Sequence, residues 1–511
     1  MECERCRALL PILKVCMVLS RLHSRWHVAQ GRFAHAMAAA PQHEAGGYSW
    51  APWAYYSLSM YATVANLQDV HCDGRTVMAR AVSLAACGHL VEAEALVMAA
   101  RGRADCRPLW GPMADALAPF MPQQALDLLQ NMHAPPPALL AALMLRVGRV
   151  GEAVAVLDKA IAAGQAGKWP ELHLYQSNAL RDGPQAQMAR LNAFLQARQV
   201  PPLVLRDPSL PPGPCNVQMA QSAAPVHGPL VSVLMTTFRK GARASVAIES
   251  VLQQSYRNIE LIVVDDASGD DTPDMVQAWA ERDQRVKLIR LRRNGGTYLA
   301  KNVGLQMARG EFVTCHDSDD WSHPLKIERQ VRPLLENKQW VATISHWVRM
   351  QDDGFFYARP VHSLMRFNPS SPLFRREQVL AQAGAWDCVR TGADSEFLAR
   401  LRLVFGKHAI KRVVQPLSLG AHRADSLMTA SSTGYSDTGI SPQRLAYWEA
   451  WSRWHIEVLR RKALPRLPLD MVRLAAERPF EAPAEIVLSD ADVRGCLASA
   501  EYGLNAEEEA G

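Results

Sequence analysis

Residues 311–320 read EFVTCHDSDD, a β-forming run that opens into Asp317, Ser318, Asp319 and Asp320. Clustered carboxylates at the end of a buried strand repel one another and lose hydration near a core. A divalent cation removes that penalty. Oxygen-only ligation suits a hard ion such as Mg²⁺ or Mn²⁺, which keeps some of its waters and binds substrate phosphates as well. The competing reading is an Asp-rich turn that starts a helix, with Asp320 and Ser322 as caps. What decides between them is whether other polar groups arrive at the same place.

Two other groups do. From Pro229 onward, apolar runs alternate with helical spacing: strands over 231–236, 259–265, 286–291 and 312–316, with helices over 244–254, 272–283 and 298–308. Strands buried on both faces and alternating with helices predict a parallel, doubly wound α/β sheet. Ligands bind such sheets beyond the carboxyl ends of the strands. Thr236 and Thr237, Asp265 and Asp266, and the 317–320 carboxylates all lie at those ends. This common placement favours a binding site over a chance turn.

VSVLMTTFRKG (231–241), SVLQQSYRNIELIVVDDASGDDT (250–272) and NGGTYLAKNVGLQMARGEFVTCHDSDD (294–320) resemble a family 2 glycosyltransferase, and the similarity covers roughly residues 229–430. The resemblance implies the GT-A fold, a Rossmann-like nucleotide-sugar domain. It implies that Thr236, Thr237, Asp265, Asp266, Asn294, Gly296, Lys301 and Asp317 surround the donor. A carboxylate at 265 or 266 can accept from a uracil N–H or a ribose hydroxyl, or make an Asx-turn before Gly269. Gly295 and Gly296 permit close backbone approach to the nucleotide, or simply a tight turn. Lys301 stands where the family more often has Arg; it keeps the charge to neutralise a diphosphate but loses the bidentate fork.

Asp317, Asp319 and Asp320 correspond to the family's DXD region, with Asp319 foremost. There a Mg²⁺ or Mn²⁺ acts as a Lewis acid on the departing nucleoside diphosphate. His422 is a further candidate, closing over the metal or diphosphate. Gly384, Trp386 and Asp387 fit the family's Gly-aromatic-Asp element. Asp394 then aligns with the catalytic base, although Ala393 replaces the usual Glu; Glu396 is the reserve. As plain structure, both acids would favour the first turn of a helix through its dipole. The implied activity is an inverting, metal-dependent transfer from a nucleoside-diphosphate sugar, foremost a UDP-sugar, to a carbohydrate or glycolipid hydroxyl in cell-surface polysaccharide or glycolipid synthesis.

Two rival readings compete with this one. A sugar nucleotidyltransferase would want a Gly-rich basic loop after the first strand, and Thr237–Gly241 is short of glycine. A scaffold with a degenerate transferase domain is opposed by the presence of Asp266, Asp317, Asp319 and Asp394.

The rest of the 511 residues must carry this site. That length allows two or three domains. Residues 1–70 hold an aromatic cluster, Tyr48 to Tyr61, expected as a local core rather than a sugar platform. Residues 71–200 show helical hairpins. Ala93, Ala125, Ala153 and Ala186 recur at steps of about 30 residues, loosely resembling tetratricopeptide repeats and suggesting a docking surface for a protein partner. Pro-rich residues 201–228 read as a linker, and 431–511 as a C-terminal helical extension whose Trp448, Trp451 and Trp454 are expected to pack against the catalytic domain rather than form an acceptor platform. The net charge of +6 is too small to argue for nucleic acid. Cys3 and Cys6 lack a second pair for zinc. The apolar run 9–19 is too short to span a bilayer. The expectation is a cytoplasmic protein without a transmembrane segment, touching at most the inner face of a membrane.

Overall fold

The computed structural model describes residues 20–41, 48–68, 72–423, 434–436, 439–498 and 500–502. Cys3, Cys6 and the apolar run 9–19 lie outside the described residues.

The apolar run Val231–Thr237 forms β1; Ile259–Asp266, Val286–Leu291 and Phe312–Cys315 form β2, β3 and β4. Every residue of β2 and β4 is buried, so neither shows the alternation of a one-sided strand. These strands pair in parallel in the order β3-β2-β1-β4. Helices α1 (Ala242–Leu252), α2 (Thr272–Arg282) and α3 (Thr297–Met307) connect them. The order reverses at β1, between β2 and β4, the position where a doubly wound sheet opens a crevice at its carboxyl ends. Thr237 faces Asp265 in register there.

The sheet continues beyond the expected parallel part. β5 (Trp321–Ser322), β6 (Ala342–Met350), β7 (Phe356–Tyr357), β8 (Met365–Arg375), β9 (Ile410–Ala421) and β10 (Glu501–Tyr502) extend it. The full order is β10-β3-β2-β1-β4-β8-β6-β9-β5, with β7 on β6. β8 runs antiparallel to both β4 and β6, while β9 runs parallel to β6. The sheet is therefore mixed. Helix α4 (Lys326–Glu336) follows β5, and α5 (Ala393–Phe405) precedes β9.

The chain divides into two compact units. One comprises 1–133, 431–465 and 479–483; the other 134–430, 466–478 and 484–511. In the first, helices Gly74–Ala86 and Leu90–Arg101 pair, as do Trp110–Leu117 and Pro122–Gln130. Glu449, on helix Pro442–Arg460, accepts from Thr63 N at 2.7 Å and Thr63 Oγ1 at 2.9 Å. The aromatic residues serve this unit's interior: Tyr48 stacks on Trp50, Tyr61 and Tyr435 flank Trp448, and Trp454 stacks on Phe480.

In the second unit, helices Pro137–Arg146, Val150–Ala162, Leu172–Leu180 and Pro184–Ala197 share a core with the far half of the sheet. Leu157, Leu172 and Phe194 join Trp321, Val348 and Leu417 in it. The Pro-rich stretch is built into the same core. Strands Leu203–Leu205 and Val217–Met219 pair antiparallel, and the Asn192 amide clamps both Leu203 N and Leu203 O. The division at 133/134 thus differs from the boundaries read at 70 and 200, while the break at 430/431 coincides with the one read there. The last two helical pairs bury their apolar faces on the sheet, and the prolines stiffen a connection that packs instead of spanning. Each echoed segment is the second helix of a pair, and Ala93, Ala125 and Ala153 are fully buried.

Gly384 shows how tightly the segment before α5 is held. Its φ is +83°, and an added Cβ would lie 1.7 Å from Leu467 O. Gly384→Ala is expected to lower stability by at least about 1–3 kcal/mol, from backbone strain plus overpacking. Urea unfolding of the variant checks this, with an unchanged midpoint as the contrary result.

Candidate active site

β2 delivers Asp265 and Asp266 buried at the sheet's carboxyl end. Asp265 accepts from Ser268 N at 3.1 Å and from Ser268 Oγ, and Ser268 Oγ in turn accepts from Arg239 N at 3.0 Å. It is the local turn-former that its loop sequence allowed. Burial raises its proton affinity, which the Ser268 bonds oppose. Asp266 reaches across to the next loop and accepts from Gly295 N at 2.7 Å and Gly296 N at 2.8 Å. Burial pushes its pKa up to about 6 against those two donors. Asn294 is held on both sides, donating to Asp266 O at 3.1 Å and accepting from Arg390 at 3.0 Å. Gly296, at φ +82°, turns the chain into α3. Thr236 Oγ1 meets Thr297 Oγ1 at 2.8 Å, tying β1 to the start of α3. The buried Thr237 hydroxyl has no hydrogen-bond partner among the described residues.

β4 ends at Cys315, and 317–320 form a turn closed by Asp320 N to Asp317 O at 3.1 Å. The three carboxylates have different partners. Asp317 accepts from Ser370 Oγ at 2.9 Å, Asp319 pairs with Lys240 Nζ at 2.7 Å, and buried Asp320 accepts from Ala421 N at 2.9 Å. Arg423 stands 3.9 Å from Asp319. Burial, then Asp317 and Asp319, push Asp320 well above the carboxylate range. Behind the turn, buried Lys326 donates to Ser371 Oγ at 2.6 Å; burial draws its pKa down to about 8 although Asp320 and Asp317 oppose.

Asp394 enters from the first turn of α5, its side chain 16% exposed. It accepts from Lys301 Nζ at 3.1 Å and from Tyr298 Oη at 3.1 Å, both on α3. Burial raises its pKa; Lys301 pulls against that and Asp317 adds to it. Lys301 is itself only 2% exposed. Burial disfavours its charge, but Asp394, Cys315 and Asp317 outweigh this and hold it firmly protonated.

Two expected residues are placed elsewhere. Glu396 is fully buried and bound to Arg400 through both oxygens at 2.8 Å, so it is a packing element of α5, not an exposed base. Its i,i+4 spacing to Arg400 was the available sign. His422 lies flat on Tyr357, with ring centroids 3.4 Å apart, and burial then Arg349 lower its pKa to about 4. The neighbouring Arg423, not His422, faces Asp319. Lys240, Tyr298, Ser370 and Lys326 were missed. Lys240 had a visible signal, a basic pair directly after the first strand; Ser370 is 53 residues from its partner Asp317.

The donor set is oxygen-only, as a hard divalent cation requires. Yet among the described residues no three His, Cys, Asp or Glu side chains converge as a metal site. Asp317 and Asp319 fit by chemistry, since Ser370 and Lys240 each engage one oxygen. Asp320 likewise has one oxygen on Ala421 N, and its crowding by Asp317 and Asp319 is the penalty a cation would relieve, whereas His422 is stacked on Tyr357 and Arg423 takes the side facing Asp319.

Residues 232–393 match the sequence model described as Glycosyl transferase family 2. An uncharacterized glycosyltransferase of Haemophilus influenzae is 38% identical over 109 residues, 21% of this chain and 44% of that protein. Glycosyltransferase GlyG of Streptococcus pneumoniae is 34% identical over 25% of this chain and 42% of its own. The putative teichuronic acid biosynthesis glycosyltransferase TuaG of Bacillus subtilis is 32% identical over 26% and 53%. The chain thus spans about half the length of the curated relatives it matches. Among solved structures, S. aureus TarS 1–349 with UDP-GlcNAc aligns at a TM-score of 0.36 and 17% identity, over 48% of this chain and 70% of that one.

Proposed function

Taking as premise that residues 232–393 are a family 2 glycosyltransferase domain of GT-A type, we propose that this chain transfers a sugar from a nucleoside-diphosphate donor, foremost a UDP-sugar, to a hydroxyl of a carbohydrate or glycolipid acceptor. The observation that carries this reading is the union of two carboxylate sets at one end of the sheet. Asp266 braces the Gly295–Gly296 turn into α3, and the same helix presents Lys301 and Tyr298 to Asp394.

The nucleotide lies over the ends of β1 and β2, against the 294–297 turn. Thr237 and Asp265 flank it, and Asp266 keeps the turn open to backbone approach. Asp317 and Asp319 would hold a Mg²⁺ or Mn²⁺, which when bound offsets charge on the leaving diphosphate. Lys240 engages one oxygen of Asp319, so the other could face the ion while Lys240 stands as a second cation beside the phosphates. Asp394 takes the proton of the acceptor hydroxyl as its oxygen attacks the anomeric carbon, giving inversion by single displacement. The product belongs to cell-surface polysaccharide or glycolipid synthesis; the relative TuaG is named for teichuronic acid biosynthesis. No helix among the described residues is long and apolar enough to cross a membrane.

The test is release of nucleoside diphosphate from UDP-, GDP- and CDP-sugars, with Mn²⁺ or with EDTA. Release from one nucleotide class, stimulated by Mn²⁺ and abolished by EDTA, is the expected result. Release from none, with acceptor-containing extract present, overturns the reading.

A further inference from the structure

Lys301 was expected to neutralise the donor diphosphate, and its surroundings point elsewhere. Its ammonium is 3.1 Å from Asp394 Oδ1, 5.3 Å from the Tyr298 ring centroid and 5.8 Å from that of Trp386. Trp386 is fully buried, and the lysine side chain is 3% exposed. An ammonium enclosed by two aromatic faces and a carboxylate has its directions of approach already taken. A diphosphate arriving from solvent would have to pull it out of that enclosure, giving up both the ion pair and the cation–π contacts.

Asp394 has the complementary need. A carboxylate in the first turn of a helix has a free χ1 unless something fixes it. Here two donors fix it from one neighbouring helix: Lys301 takes Oδ1 and Tyr298 takes Oδ2. They sit three residues apart on α3, on the same side of that helix. The stem of Lys301 is packed, so the ammonium does not wander.

We propose that Lys301 and Tyr298 are positioning residues for Asp394, aiming its carboxylate at the acceptor hydroxyl, and that Lys301 is not a ligand of the donor. This rests on the reading of Asp394 as the base.

The test separates kcat from donor affinity. Lys301→Met, Lys301→Arg, Tyr298→Phe and Asp394→Asn are compared for kcat, donor KM and donor Kd by calorimetry. Lys301→Met is expected to lose about 10- to 100-fold in kcat while donor Kd stays within about threefold of wild type. Lys301→Arg is expected to recover much of that kcat. Tyr298→Phe is expected to lose about 3- to 10-fold in kcat alone, what one hydrogen bond is worth. A Lys301→Met that binds donor tenfold or more weakly (about 1.4 kcal/mol) yet keeps its kcat overturns the proposal. If Lys301→Met does not fold, Tyr298→Phe decides, and an unchanged kcat there overturns it. Full activity in Asp394→Asn removes the base reading, and this inference falls with it. An inactive Asp394→Asn beside a weakly binding, fully turning-over Lys301→Met removes the inference alone.

Discussion

Asp394→Asn is expected to bind donor as the wild type does and to turn over about 10²- to 10⁴-fold more slowly, the usual worth of a general base. The side chain keeps its shape, so the Tyr298 bond survives and α5 keeps its start. What disappears is the carboxylate's charge, which makes it basic enough to take the acceptor's proton. As the proposed base Asp394 would have to be ionised, and burial raises its pKa more than Lys301 lowers it. The wild-type rate therefore falls as pH drops through a pKa above the ordinary Asp value of about 3.9. A kcat/KM profile, measured with the donor that the wild type releases, checks both statements. Equal turnover in the variant, or a rate flat down to about pH 4 in folded protein, contradicts them.

The second large effect is on stability. Arg400→Met removes one side of a pair in which both side chains are 0% exposed. Arg400 also donates to Ala383 O and to Ala385 O, so it fastens the segment ahead of Trp386 to α5. Its loss takes from buried Glu396 the guanidinium that binds both its oxygens, and from Ala383 O and Ala385 O the donor that ties them to α5. Breaking a buried pair from one side costs about 3–5 kcal/mol. Urea unfolding is expected to show a loss of that size, with reduced activity following from the displaced α5. The double replacement Glu396→Gln with Arg400→Met should recover part of it, because no lone buried charge remains. A loss below about 1 kcal/mol in the single variant would mean the pair is solvated or dispensable.

The βαβ part of the fold was legible because its signals are local. Continuous apolar runs such as Ile259–Asp266 and the helical spacing between them fixed both element type and order. The strand-end carboxylates followed from the same pattern. What the sequence did not disclose was set by distant partners. β8 wedges antiparallel between β4 and β6, a pairing that no local periodicity reports. The 201–228 prolines looked like a spacer, yet Leu203, Leu205 and Val217 are core residues of the unit that holds the site. Asp394 could be aligned from its motif, but the role of Lys301 could not. A lysine in a nucleotide motif suggests a phosphate, and only its enclosure by Tyr298, Trp386 and Asp394 redirects it. Glu396 and His422 were over-read for the same reason: a residue type suited to chemistry says nothing of the neighbour already occupying it.

In the proposed site the carboxylates divide the work, 317 and 319 for the nucleotide sugar and 394 for the acceptor. The decisive measurement is calorimetry with UDP-, GDP- and CDP-sugars in Mn²⁺, on wild type, Asp319→Ala and Asp394→Asn. Binding of one nucleotide class, lost in Asp319→Ala and retained in Asp394→Asn, is the expected result. Binding of no nucleotide by folded wild type, or equal binding by Asp319→Ala, would rule the division out.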